Sequence, residues 1–260
     1  MLRHSTVGLA LGAAAPALAM PAAAGARLGP ATAPATAPAT AGADFGLKQP
    51  ASGTRGLAIT SHAEASRIAV EVLREGGNAC DALLAASIAQ TVLEPHLTTV
   101  TGCFSMLHYR AGDGQVRYLN GDVNAPLAPL EGFSPADVTT GRAVAVPGFW
   151  AGFEAAWKAF GRTSLRRLMA PAIALAREGV ECGPFLWAEI FGAQAALGRT
   201  EEARRIFMPE RALPPPGGTI RQPEAAELLE RLRDEGRPPF LPRRLRRALL
   251  RDRPARRAAC

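Results

Sequence analysis

Residues 61–93, SHAEASRIAVEVLREGGNACDALLAASIAQTVL, decide how the rest of the chain is read. Ser61 followed three residues later by Glu64 reads as a capping box, in which a hydroxyl and a carboxylate satisfy otherwise unpaired amide donors, so a helix is expected to start here. Ala65, Ile68, Ala69, Val72 and Leu73 recur at helical spacing and leave Arg67, Glu71 and Arg74 to water. Gly76 suits the left-handed conformation that closes a helix, and Asn78 is placed to cap the next. The second helix, 79–93, is apolar almost all round and is therefore expected to be enclosed by other elements. It is too short to span a bilayer, and Pro95 ends it at Glu94.

The string GGNACDALLAASIAQTVLEPH, 76–96, closely resembles the large-subunit signature of the γ-glutamyltranspeptidase family. Its matching positions are Gly76, Gly77, Asn78, Ala79, Asp81 and Ala82, then Val92, Glu94, Pro95 and His96. The resemblance resumes at 143–178, with V-P-G, an aromatic-rich helix, F-G-R and L-M-A-P-A-I-A-L-A-R-E-G, and again at Gln222-Pro223. It covers about Gly56 to Gly236. The implied fold is α+β, an N-terminal nucleophile hydrolase-like αββα sandwich, incomplete because only the large-subunit part is matched. The implied activity is transfer or hydrolysis of γ-glutamyl groups of glutathione-type substrates by a threonine whose own α-amine acts as base.

Outward from this stretch, residues 1–24 read as a signal peptide, with Arg3 ahead of an apolar run and small residues at Ala17 and Ala19 suiting cleavage. A periplasmic or secreted location follows as an expectation; an uncleaved anchor is the alternative. Residues 25–55 form an Ala/Thr/Pro-rich linker whose ATAP repeats bury no core. LAIT, 57–60, reads as a short strand. Two more strands, 104–109 and 115–119, flank a turn in which glycine and Asp113 permit positive φ. AVAVPG, 143–148, reads as a strand with a Pro-Gly turn, 149–160 as a helix ended by Gly161, and Thr163 or Ser164 as the cap of a short helix, with Pro171 opening another. Residues 185–197 read as a helix, LPPPGG (213–218) as a turn, and a last helix opens at Gln222-Pro223-Glu224 and closes at Gly236.

The formal charge of +7 belongs to the tail: 237–260 carries nine arginines against Asp252, a local +8, so the body is close to neutral and offers no reason for a nucleic-acid partner. That basic tail has the composition of an out-of-frame reading of GC-rich codons; a functional segment binding anionic lipid or nucleic acid is the rival.

The hairpin leads into Asn120-Gly121-Asp122-Val123-Asn124-Ala125-Pro126. The resemblance implies G-R-E-T-A-P here, with the arginine gripping the α-carboxylate of the γ-glutamyl donor through its bidentate fork. Asp122 occupies the arginine position, and like charges repel. Either the donor is not a free γ-glutamyl amino acid, or another cation substitutes, or the site is dead; Asp122 and Asn124 are also residue types that satisfy turn backbone. They are the substrate-binding candidates by loop position. No catalytic residue is assigned, because Thr98-Thr99 and Thr139-Thr140 are not followed by the histidine of the family's T-T-H type segment. No cofactor motif and no metal-ligand spacing occurs: His62, His96 and His108 are scattered, and Cys80 sits in an apolar helix as a small buried hydrophobe.

Three readings follow. The chain is an N-terminal fragment of an exported γ-glutamyltransferase-like enzyme, inactive by itself; or a noncatalytic large-subunit-like protein needing a separate small subunit; or part of an amidase with a different acyl donor. Its partners are then a small-molecule γ-glutamyl or acyl-amide substrate and a small subunit, with no membrane span.

Overall fold

A computed structural model describes residues 50–125, 131–139 and 141–236. The signal peptide, the linker up to residue 49, Pro126, Thr140 and the basic tail lie outside the described residues.

The first helix, α1, spans Ala63–Arg74, and its buried face is Ala65, Ile68, Ala69 and Val72. Its cap differs from the expected capping box. The His62 ring accepts from the Glu64 N–H at 3.1 Å, while Ser61 Oγ donates instead to Glu94 Oε2 at 2.6 Å. Glu94 is buried, and a buried carboxylate needs donors. Ser61 and Gln90 supply them, and capping falls to the next side chain that can accept.

Gly76, at φ +93°, reverses the chain out of α1. Gly77 follows against Val72, where a Cβ would lie 2.6 Å from a Val72 methyl carbon. The next helix, α2, spans Ala79–Leu93 as expected, with Cys80, Leu84, Ile88 and Val92 among its buried residues. Each fully buried aliphatic side chain contributes about 1.5–3 kcal/mol, so enclosure of this helix outweighs its few polar contacts. It packs on α1 and on two later helices, α3 (Phe149–Phe160) and α4 (Leu165–Glu178).

Strands β1 (Phe104–Arg110) and β2 (Gln115–Gly121) pair antiparallel, Phe104 opposite Gly121 and Arg110 opposite Gln115. Gly114, at φ +66°, makes the turn possible. Alternation turns Phe104 and Met106 inward against α3 and leaves Leu107, Tyr109, Val116 and Tyr118 outward and exposed. Phe104, Phe149, Trp150 and Phe153 pack edge-to-face and stacked where hairpin meets helix.

Two expected strands are not strands. Residues 57–60 are irregular, with Ile59 91% exposed, because no described strand lies beside them to complete a ladder; Thr60 bonds Ser66 and the His62 carbonyl instead. In 143–148 only Val146 bridges, to Asn124, after a 3-10 turn at Gly141–Ala143. Helix α4 is also one helix where two were expected. Ser164 caps it, and Pro171 lies inside. Leu168, Met169, Ala172, Ile173 and Ala176 form a continuous buried face across the proline, so packing against α2 and a final helix holds the turn in which one N–H is missing.

Beyond α4, β3 (Val180–Glu181) pairs with β4 (Thr219–Ile220), and between them lie α5 (Pro184–Leu197) and α6 (Glu201–Phe207). The sequence reading contained α5 but neither β3 and β4 nor α6. The final helix, α7 (Pro223–Glu235), closes at Gly236 as expected and packs on α4. No helix among the described residues is long and apolar enough to cross a membrane.

Candidate substrate-binding loop

The loop after β2 is held by backbone contact with the start of α3. Gly121 and Gly148 stand where no side chain fits. A Cβ on Gly121 would lie 2.6 Å from the Phe104 carbonyl oxygen and 2.7 Å from Gly152 Cα, and one on Gly148 would collide with the Gly121 and Asp122 carbonyl oxygens. Asn124 and Val146 exchange both backbone bonds, at 3.0 and 2.8 Å. The Gly148 and Phe149 N–H groups donate to the Gly102 carbonyl at 3.1 and 2.9 Å. Three chain segments are thereby fixed around residues 121–125.

Within this frame Asp122 N–H donates to Asn120 Oδ1 at 2.9 Å, and Asp122 Oδ1 accepts from Val123 N–H at 2.7 Å. The second carboxylate oxygen stays open to solvent, and among the described residues no cation pairs with Asp122. Arg142, the first cation after the loop in sequence, is turned to Asp137 Oδ1 at 2.9 Å and the Glu131 carbonyl at 2.6 Å. Asn124 contributes through its backbone bridge. The structure therefore brings Asp122 and Asn124 into one loop, with Asp122 as its exposed charge and no arginine in its place.

The signature residues of α2 form a lock in the interior. Asn78 Oδ1 accepts from Asp81 N–H at 2.9 Å, Asp81 Oδ2 accepts from Asn78 N–H at 3.0 Å, and Asn78 Nδ2 donates to the Phe160 carbonyl at 2.7 Å. Asp81, with no exposed surface, also accepts from Arg162 N–H at 2.9 Å, Thr163 N–H at 3.2 Å and the Thr163 hydroxyl at 3.1 Å. One carboxylate thus joins the start of α2 to the turn between α3 and α4, at a helix N-terminus that favours negative charge. The signal for this was present in the sequence as the sole charged residue of an apolar helix. Its partner, 81–82 residues away, was not. Next to it, burial and then the Asp81 charge push the Cys80 thiol up to about 11, so Cys80 stays protonated and inert. Gln222 ties α7 to α2 by donating to the Val92 carbonyl at 2.8 Å.

The histidines have packing roles: His62 caps α1, His96 meets Phe185 edge to face at 4.9 Å, and His108 stacks on Phe160 at 4.1 Å. Among the described residues no group of three acidic, histidine or cysteine side chains is arranged to hold a metal ion.

Comparison with known proteins matches this geometry to one family. The family model described as gamma-glutamyltranspeptidase covers residues 65–252. The glutathione hydrolase proenzyme of Bacillus subtilis (strain 168) is 32% identical over 207 residues, 74% of this chain and 34% of that protein. The acylase ACY 1 proenzyme of Pseudomonas sp. (strain SE83) is 32% identical over 217 residues, 78% of this chain and 39% of that protein. The chain thus spans between a third and two fifths of the length of these relatives. The crystal structure of Helicobacter pylori gamma-glutamyltranspeptidase superposes with a TM-score of 0.68 at 28% identity, over 72% of this chain and 56% of that one. The architecture is accordingly part of an α+β, N-terminal nucleophile hydrolase-like fold. A matched stretch that runs through the α2 signature, the hairpin, α3, α4 and α7 leaves one conclusion: the chain belongs to the gamma-glutamyltranspeptidase family.

Proposed function

We propose that this chain is the large-subunit part of an exported enzyme that cleaves γ-glutamyl or related N-acyl amide bonds of small molecules. The reaction in this reading is attack by a threonine hydroxyl on the amide carbonyl, its proton passing to the threonine's α-amine, followed by release of the amine and transfer of the acyl group to water or a second amine. No residue of 1–260 matches that threonine, so a further segment or a separate small subunit supplies it, and the chain by itself is inactive. What this chain contributes is the loop at 121–125 and the core that holds it.

The observation that carries the reading is the loop itself: a backbone clamp at the position where the family resemblance implies a donor-gripping arginine. Asp122 at that position favours a second reading, in which the acyl donor lacks a carboxylate there and the activity is that of an amidase. Support for the broader class comes from relatives named both as glutathione hydrolase and as acylase.

The test is a chimera in which residues 56–236 replace the matching stretch of the Bacillus subtilis relative, with Asp122 or Asp122→Arg, assayed on γ-glutamyl and hexanoyl anilides. A gained charge-assisted pair is worth about 1.5–3 kcal/mol. Asp122→Arg is therefore expected to shift the kcat/KM ratio toward the γ-glutamyl substrate by roughly tenfold or more. A chimera that self-cleaves normally yet hydrolyses neither anilide would favour the noncatalytic reading, and an unchanged ratio would remove Asp122 from donor choice.

A further inference from the structure

A second place in the molecule is built for an anion and belongs to no part of the reading above. Between the entering segment 52–56 and the outer side of α1 lies a cleft of about 300 Å³. Ser52, Thr54, Arg55 and Arg74 line it, with Val70 and Leu73 as its apolar wall. Every charged side chain on this lining is a cation, both hydroxyls can donate, and no carboxylate is present.

The two guanidiniums stand out from their surroundings. Along α1 the nearby acids are engaged elsewhere: Glu64 and Glu71 with Arg67, and Glu75 with Arg167, whose hydrogen bonds hold the Glu75 carboxyl below the usual carboxylate range. Among the described residues Arg55 and Arg74 have no carboxylate within ion-pair distance. Placement in the last turn of α1 accounts for Arg74 through the helix dipole; it does not account for Arg55, which is outside the helix.

The backbone adds donors of the same sign. Residues 53–56 form a tight turn in which a Cβ on Gly53 would lie 2.8 Å from the Gly56 carbonyl oxygen. Among the described residues the N–H groups of this turn have no backbone or side-chain acceptor. A turn of free amides, two hydroxyls and two guanidiniums around one cleft is a donor set without an acceptor. Its chemical complement is an oxyanion with several acceptor oxygens.

We infer that this cleft binds a phosphate monoester, the phosphate held by Arg55, Arg74 and the 53–56 turn and a small organic group resting on Val70 and Leu73. Inorganic phosphate is the minimal fragment of that ligand. A carboxylate presents fewer oxygens to so many donors and binds more weakly. The inference is independent of the γ-glutamyl reading, since the cleft uses no residue of the loop at 121–125.

The test uses the full chain and needs no variant at first. Arginine modification by phenylglyoxal is followed residue by residue by mass spectrometry, at fixed ionic strength, with chloride, inorganic phosphate or phenyl phosphate. The expected result is that both phosphates slow modification of Arg55 and Arg74, phenyl phosphate more, while exposed Arg211 and Arg221 react as in chloride. Equal slowing at all four arginines, or none at Arg55 and Arg74, would overturn the site. Equal protection by the two phosphates would overturn the organic part of the assignment. A calorimetric titration of phenyl phosphate then compares the chain with Arg55→Gln and Arg74→Gln. Each charge-assisted contact is worth about 1.5–3 kcal/mol, so each variant is expected to weaken binding roughly tenfold or more; unweakened binding in both would equally refute the assignment.

Discussion

Asp81 is a buried carboxylate whose charge is met by three backbone N–H groups and one hydroxyl, with no cation paired to it among the described residues. Such a group is costly to remove, because its donors are left buried without water or a partner. Replacement by alanine is expected to lower stability by about 3–5 kcal/mol, seen as a fall in the urea midpoint. Thr163→Val, which removes one hydroxyl donor, should cost about 1 kcal/mol. If Asp81→Ala unfolds at the same urea concentration as the parent, the lock is not holding α2 to the α3–α4 turn. At this scale the sequence was informative about local pairs and blind to distant ones. Asn78 as the cap of α2 needed only its neighbours. Ser61 was misread because the spacing to Glu64 is local, whereas the competing acceptor, Glu94, is 33 residues on. Asp122 and Asn124 were readable as a loop. The glycine contacts that clamp that loop depend on which backbones approach each other, and spacing carries no record of that.

Among the elements, α2 and α3 were legible to the residue because apolar periodicity, an end signal and burial all agree. Residues 57–60 and 143–148 were not, since a strand exists only where a neighbour completes its ladder, and β-branched composition says nothing about neighbours. Helix α4 shows the same limit from the other side. Pro171 looked like a helix start, yet the apolar stripe from Leu168 to Ala176 buries against α2 and α7 and carries the helix through it. The proline removes the N–H that would donate to the Arg167 carbonyl and crowds that carbonyl. Pro171→Ala is therefore expected to stabilise the chain by about 1–3 kcal/mol, read as a higher thermal midpoint with the same circular dichroism. A loss of stability instead would mean that the ring's own packing, or the rigidity it gives the unfolded chain, outweighs the missing bond.

For the molecule as a whole, the outward face of the hairpin is the feature that the fold leaves unresolved. Leu107 and Tyr118 face each other across the strands, as do Tyr109 and Val116, and the four are 72, 64, 63 and 63% exposed respectively. Isolated exposed apolar residues are ordinary, but four in two directly paired rows make a continuous patch beside two free strand edges. The 56% of the Helicobacter pylori chain matched here means that the family fold contains further polypeptide against which such a face can be buried. Alone, the chain should bury it against itself. Purified protein is therefore expected to bind an anilinonaphthalene dye and to elute from gel filtration larger than a monomer. Leu107→Lys with Tyr118→Glu places an opposite-charge pair on the same cross-strand positions. It keeps the register, since the inward residues Phe104 and Met106 are untouched. That double variant should lose most of the dye signal and shift toward monomer with little change in unfolding midpoint, because both side chains are already in water. A parent chain that is monomeric and dye-silent would show that the patch is covered within the chain itself. A double variant that stays associated would move the contact elsewhere, with Phe185 and Phe191 on α5, 58 and 51% exposed, the next surface to change.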